Sequence, residues 1–195
     1  MNINKRFYQA RKRILIGALK ISIISGGFQM NEADVLNKLN ELSKKYPHFP
    51  DGRVNYTGTT YAPVVNVFIK FADEILLLKR SDRVASYKGK WNSVGGFIDE
   101  PMPIVEKALG EAEEELGITR PMIKRIISGE PFELSDSEIK KTWLICPFML
   151  ELSSKPEIRL DFEASEYRWI NPSQIIKFDR VFGLEKSYEA CMKKA

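Results

Sequence analysis

The stretch WNSVGGFIDEPMPIVEKALGEAEEELGI, from Trp91 to Ile118, places a strand, a glycine pair and an acidic helix in direct succession. Pro103 suits the first turn of a helix, and Gly117 can adopt the left-handed conformation that ends one. The pattern therefore predicts a helix over residues 103–116. One face of this helix is apolar and is expected to pack against a sheet; it consists of Val105, Leu109, Ala112 and Leu116.

A second face of the same helix is acidic. At about 100° per residue, Glu111, Glu114 and Glu115 fall at i, i+3 and i+4, so their carboxylates are expected to project together. They lie in the C-terminal half of the helix, where the macrodipole disfavours negative charge. Oxygen ligands of this kind suit Mg²⁺ or Mn²⁺, whose coordination is completed by water and substrate phosphates. The alternative is a solvated acidic surface.

The residues before this helix supply candidates for binding phosphate. Gly95 and Gly96 are predicted to form a turn after a strand, where backbone can approach a ligand closely. Arg80, Lys88 and Lys90 flank the same edge of the predicted sheet. We expect these five residues to contact the substrate, although basic side chains in a loop are often merely solvated. Tyr87 is a candidate for base stacking, whereas Trp91 and Trp169 are expected in the core.

The composition excludes several kinds of catalysis. The chain has 195 residues, enough for one domain with its own core. His48 is the only histidine and lies in a proline-rich loop, which excludes Ser-His-Asp, Cys-His and histidine-rich zinc sites. Cys146 and Cys191 show no metal-ligand spacing, and a reducing, cytoplasmic compartment fits their use.

The net charge of +4 is concentrated at the N-terminus. Residues 1–29 contain six basic side chains and no acid, which leaves −2 for residues 30–195. Because residues 30–195 carry slightly more negative than positive charge, we do not expect them to bind nucleic acid. The apolar run over residues 14–24 is interrupted by Lys20 and is shorter than the roughly 20 residues of a membrane span. We expect a basic, dispensable extension, with a signal peptide or a true start at Met30 as alternatives.

The remaining pattern predicts one mixed domain over residues 30–195. Strands are predicted at 64–71, 74–80, 91–94, 123–127, 143–152 and 167–170. Helices are predicted after Asn31, after Asn171 and over residues 184–193. Because strands and helices do not alternate regularly, the sequence favours a mixed sheet flanked by helices over a doubly wound parallel fold.

The stretch after Gly96 resembles the Nudix box, whose pattern is G-x5-E-x7-R-E-U-x-E-E-x-G-U, where U is aliphatic. The second half of that pattern is matched by Glu111, Ala112, Glu114, Glu115, Gly117 and Ile118. The resemblance also covers ILLLKRS and YKGKWNSVGG before the box and DFEASEYRWINPSQI after it, about residues 64–174 in all. It implies an α/β fold of the Nudix type, an α/β/α sandwich with a mixed sheet.

The resemblance further implies divalent-metal-dependent hydrolysis of a nucleoside diphosphate linked to another moiety, such as ADP-ribose or a related nucleotide sugar. Mg²⁺ or Mn²⁺ would be bound by Glu111, Glu114 and Glu115, with Glu163 as a candidate catalytic base. Homodimers are common among such proteins. Two positions depart from the box, since Met102 replaces its first glutamate and Gly110 its arginine. These departures favour an alternative, a nucleotide-binding module of the same fold that does not hydrolyse its ligand.

Overall fold

A computed structural model describes residues 30–195, so the predicted extension over residues 1–29 lies outside the described part. The strands are β1 (Tyr61–Phe71), β2 (Glu74–Arg80), β3 (Trp91–Asn92), β4 (Val94–Phe97), β5 (Ile123–Ser128), β6 (Phe132–Asp136), β7 (Lys141–Leu152) and β8 (Ala164–Ile170). The helices are α1 (Glu32–Lys45), α2 (Ile104–Leu116) and α3 (Leu184–Met192), with short 3₁₀ helices at Arg120–Met122 and Pro172–Lys177. Among residues 30–195, no helix is both long and apolar enough to cross a membrane.

The eight strands form one mixed sheet around β1 and β7, which run parallel to each other. The first half of β1 pairs antiparallel with β4, and its last residues pair antiparallel with β2. On the far side, β7 pairs with β5 and β6, while β2 carries β3 and β8. A cavity lies beside the glycine pair of β4, near the point where β1 changes partner from β4 to β2.

Helices cover both faces of the sheet. Alternation along β1 turns Val65, Val67 and Ile69 toward α1 and α2, where they share one buried cluster with Ala108. Phe68 points to the other face and joins a second cluster with α3 and the Pro172–Lys177 helix. This arrangement confirms the predicted α/β/α sandwich.

Local signals explain where the helices begin and end. Asn31 accepts a hydrogen bond from the Asp34 amide (3.1 Å), and Asp34 accepts one from the Asn31 amide (2.9 Å), so α1 starts with a capping box. Gly117 ends α2 in the left-handed conformation at φ +69°, as predicted. Both helices therefore have the termini that the sequence indicates.

Three details differ from the sequence prediction. The buried side of α2 is a row of small and branched residues at a spacing of four, Ile104, Ala108, Ala112 and Leu116, whereas Val105 and Leu109 are only partly buried. The glycine pair lies inside β4, not in a turn. Strand β6 was not predicted, because its sequence FELSD is short and largely polar and resembles a loop.

Gly110 is the one residue of α2 whose replacement should strengthen the helix. A Cβ at this position would meet nothing within 4 Å. Glycine in a helix interior costs about 0.5–1 kcal/mol relative to alanine. Gly110→Ala should therefore raise the free energy of unfolding by about that amount, measured by urea denaturation. An unchanged or lowered value would show that the helix needs a glycine here for a reason other than space.

Candidate active site

Small residues bring α2 close to β4. Ala108 and Ala112 are fully buried between α2 and the sheet. Because their side chains are small, the axis of α2 can approach the sheet closely. The acidic residues of the last two turns are thereby held next to the backbone of Gly95 and Gly96. The geometry of the site follows from this contact.

Glu115 is buried, with only 8% of its surface exposed. Its Oε1 accepts a hydrogen bond from the Gly95 amide at 3.1 Å. Burial raises the pKa of Glu115 to about 9; the negative charges of Glu111, Glu163 and Asp161 add to the rise, and the Gly95 hydrogen bond opposes it. The expectation that all three box glutamates project together from the helix surface is therefore wrong for Glu115, which points inward.

Glu111 lies against the second glycine of the pair. A Cβ at Gly96 would collide with the Glu111 carboxylate, and a Cβ at Gly95 would lie 2.8 Å from the Val65 carbonyl oxygen. Gly95 is required because a side chain there would meet the main chain of β1, whereas a side chain at Gly96 would displace the Glu111 carboxylate. Lys107, one helical turn before Glu111, places its Nζ 2.8 Å from Glu111 Oε1.

Glu114 and Glu163 complete the acidic side. Glu114 is exposed and lines a cavity beside the helix. Glu163 lines the same cavity and is half-buried; burial and the nearby charges of Asp161 and Glu111 raise its pKa, while Arg80 lowers it. The main chain holds Glu163 in place, since its carbonyl accepts a hydrogen bond from the Ser81 amide at 2.7 Å.

Arg80 is the predicted basic residue that the structure brings to this cavity. Its Nε donates to the Ser86 carbonyl at 3.0 Å, and burial lowers its pKa despite the opposing charges of Glu163 and Glu115. Lys88 and Lys90 do not line the cavity: Lys88 is exposed, and Lys90 pairs with Asp179 at 3.4 Å. We therefore leave both lysines out of the site.

The cavity has a volume of about 510 Å³ and also has aromatic walls. Phe97, directly after the glycine pair, stacks on Trp143 with ring centres 6.3 Å apart. The Trp143 indole donates to the Tyr87 hydroxyl at 3.2 Å, and that hydroxyl donates to the buried Asp136 at 2.6 Å. A planar group could enter between these rings and the carboxylates. Trp91 is buried and Trp169 packs against the core, as predicted.

A family model described as the NUDIX domain matches residues 60–191, more than half of the chain. The protein belongs to the Nudix family. The match confirms the membership inferred from the degenerate box.

Individual relatives of this Nudix protein are distant. The isopentenyl-diphosphate Δ-isomerase of Clavibacter sepedonicus is 26% identical over 105 residues, 52% of this chain, and the match spans about half (54%) of that relative. The solved MutT protein of Methanosarcina mazei Go1 is 24% identical with a TM-score of 0.53, covering 70% of this chain and 96% of the other. The bifunctional NMN adenylyltransferase/ADP-ribose pyrophosphatase of Francisella tularensis, complexed with AMP and a Mn ion, is 21% identical with a TM-score of 0.51 and coverages of 81% and 45%. These structural likenesses show a shared fold.

The donor set of the Nudix helix fits a hard divalent cation. Glu111, Glu114 and Glu163 line one cavity, Glu115 is buried beside them, and all their donors are carboxylate oxygens. In residues 30–195 no group of three or more His, Cys, Asp or Glu side chains is already arranged to hold a metal ion. Glu111 instead contacts Lys107, and Glu115 contacts the Gly95 amide. Metal binding would therefore require these side chains to exchange partners.

Several cavity residues were not predicted from the sequence. Lys107 precedes Glu111 by four residues, a spacing that indicates a helical ion pair and could have been noticed. Arg53, Phe97 and Trp143 also line the cavity, yet they come from segments far apart in the chain, and no local pattern marks them. Asp99, three residues before Met102, lines the cavity as well.

Proposed function

We propose that this Nudix protein hydrolyses a phosphoanhydride bond in a nucleoside diphosphate derivative, with Mg²⁺ or Mn²⁺ bound. The observation that carries the proposal is the meeting of Glu111, Glu114 and Glu163 in one cavity with the guanidinium of Arg80, next to buried Glu115. Such a reaction requires carboxylate oxygens that bind the metal ion. It also requires a positively charged side chain that binds phosphate.

Each charged residue has a role in this proposal. Glu111, Glu114 and Glu115 would hold the cation, which neutralises charge on the phosphate oxygens when bound. Glu163 would accept a proton from the attacking water, a role favoured by the rise in its pKa from burial and neighbouring acids. Arg80 would bind a phosphate oxygen and keep Glu163 oriented. The main-chain amide of Gly95 positions Glu115.

The aromatic part of the cavity would receive the nucleobase. The exposed ring of Phe97 and the indole of Trp143 offer flat apolar surface beside the acidic residues. The Tyr87–Asp136 hydrogen bond fixes the adjoining wall. ADP-ribose or a related nucleotide sugar fits this combination of a base site and a diphosphate site. The F. tularensis protein, solved with AMP and a Mn ion, is consistent with the proposal.

An activity screen tests the proposal. The protein is incubated with Mg²⁺ or with EDTA and a panel of ADP-ribose, NADH, diadenosine polyphosphates, oxidised dNTPs, CoA and isopentenyl diphosphate. Product nucleotides are followed by chromatography. Metal-dependent release of a nucleoside monophosphate is the expected result. No turnover of any compound, with tight nucleotide binding in calorimetry, would instead select the non-catalytic module, which the contact of Lys107 with Glu111 also favours.

Phe97 should affect substrate binding more than chemistry. Phe97→Leu removes the ring that stacks on Trp143 but keeps an apolar side chain. We expect KM for the nucleotide substrate to rise by about tenfold while kcat stays nearly constant, because stacking on one base contributes about 1–3 kcal/mol. Phe132, an aromatic residue outside this cavity, provides a matched control in Phe132→Leu. A fall in kcat with unchanged KM would remove Phe97 from the base site.

The cellular setting is part of the same proposal. Cys146 and Cys191 are both free and buried, which agrees with a reducing, cytoplasmic compartment. We expect the substrate to be a small soluble nucleotide. Homodimer formation, which the family resemblance suggested, is a matter for sedimentation analysis.

A further inference from the structure

A chain of four charged side chains extends from the box helix to the loop before β1. Lys107 Nζ lies 2.8 Å from Glu111 Oε1 and 3.7 Å from Asp99 Oδ1, and Arg53 Nη1 lies 3.3 Å from Asp99 Oδ2. The side chains of Lys107, Glu111 and Asp99 are 16%, 12% and 8% exposed. Solvent screening is therefore weak here, and the position of the ammonium has energetic consequences.

Asp99 is incompletely satisfied by the residues that the structure describes. Its Oδ1 is buried and has no hydrogen-bond partner among residues 30–195, although a hydrogen-bond donor, Lys107 Nζ, lies just beyond hydrogen-bonding distance. A buried acceptor without a partner costs free energy. A movement of the lysine amine by about 1 Å would satisfy Asp99, since such bonds measure about 2.8 Å. We take this movement to carry the ammonium away from Glu111 Oε1.

We propose that Lys107 is a stand-in cation, which holds the Glu111 carboxylate in the metal-free protein and transfers to Asp99 when a divalent cation binds Glu111. The inference rests on the proposed function, because it takes Glu111 as a metal ligand. Lys107 and Asp99 are positioning residues in this scheme, and they act on the metal through Glu111. The ammonium remains protonated throughout and only changes its partner.

The scheme has two consequences for metal affinity. The incoming metal ion must displace Lys107 from Glu111, so removal of the lysine charge should raise the affinity for the metal ion. The displaced ammonium is partly buried and needs Asp99 as a new partner, so removal of the Asp99 charge should lower the affinity for the metal ion. Arg53, which also pairs with Asp51, contacts Asp99 from the other side. In this scheme Asp99 acts on the metal through Lys107.

Mn²⁺ binding to the full chain, followed by electron paramagnetic resonance and calorimetry, tests the scheme without reference to turnover. We expect Lys107→Met to tighten Mn²⁺ binding by about tenfold and Asp99→Asn to weaken it by about tenfold. In the Lys107→Met background, Asp99→Asn should change the Mn²⁺ affinity by less than about twofold. Lys70→Met, which breaks the 2.8 Å Lys70–Glu151 pair elsewhere on the sheet, is the matched control and should leave the affinity unchanged.

The outcomes separate this inference from the proposed function. The stand-in role would be overturned if Asp99→Asn weakened Mn²⁺ binding equally in both backgrounds, or if Lys107→Met did not tighten it. Either result would leave the assignment of the metal site intact. Binding of Mn²⁺ by Lys107→Met but not by the unmodified protein would contradict both the transfer of Lys107 to Asp99 and the proposed activity. If neither protein binds Mn²⁺, both proposals fall. Circular dichroism and thermal unfolding verify that each variant is folded, and Lys107→Arg, which keeps the charge, should restore an affinity close to that of the unmodified protein.

Discussion

Glu115→Gln should lower the rate of hydrolysis by about 100- to 1000-fold while leaving the protein folded, because removal of one main electrostatic stabiliser costs about two to three orders of magnitude. Glutamine has the same shape and can still accept the hydrogen bond from the Gly95 amide. It carries no charge at any pH, however, and it is a weak ligand for a hard cation. Steady-state kinetics with the substrate found in the screen measure the effect.

Glu113 provides the control for this variant. It lies on the same helix, two residues before Glu115, but it is exposed and does not line the cavity. Glu113→Gln should change kcat and the free energy of unfolding only slightly, as is usual for surface substitutions. If Glu115→Gln retains activity, or if Glu113→Gln loses as much, the assignment of the metal site to this face of α2 is wrong.

The metal-free protein should lose stability as the pH rises from about 5 to 9. Glu115 has a pKa of about 9 in the folded protein against an ordinary value of 4.5, mainly because of its burial. Between these two values the folded protein keeps the proton and the unfolded chain does not, so rising pH favours unfolding. The stabilising contribution is complete below pH 4.5 and is lost as the pH passes 9. Each such proton gives a slope of about 1.4 kcal/mol per pH unit.

Urea denaturation in EDTA across this pH range measures the slope. In Glu115→Gln the slope should become much smaller, with a remainder from Glu163, whose pKa is raised in the same direction. Saturating Mg²⁺ should reverse the trend in the unmodified protein, because a bound cation replaces the proton and stabilises the charged carboxylate. A flat profile in EDTA, or the same slope in both proteins, would show that Glu115 is already charged in the folded state.

The sequence was sufficient for the fold, because its decisive features are local. The capping box at Asn31, the left-handed Gly117 and the largely apolar runs of β1 and β7 each determine their element from within a few residues. Strand β6 is the exception, since its polar residues become a strand only by pairing with β7. Its hairpin turns at Lys140, which has a positive φ of +53° without being a glycine.

The site was predictable only in part. Helical spacing placed Glu111 and Glu114 beside one cavity, but it could not show that Glu115 turns inward to the Gly95 amide, since that depends on how closely Ala108 and Ala112 allow the helix to approach. Gly110 leaves the box without its arginine. Lys107 supplies a cation to Glu111 from the preceding turn of the same helix.

The central claim is that the carboxylates of α2 hold a divalent cation beside the cavity. Anomalous scattering from a crystal soaked in Mn²⁺ and a non-hydrolysable nucleoside diphosphate analogue tests it most directly. We predict a Mn²⁺ peak about 2.1 Å from oxygens of Glu111 and Glu115, with a phosphate oxygen in its coordination sphere and Lys107 moved to Asp99. A crystal with the nucleotide in place, no Mn²⁺ on these glutamates and Lys107 still on Glu111 would contradict the account.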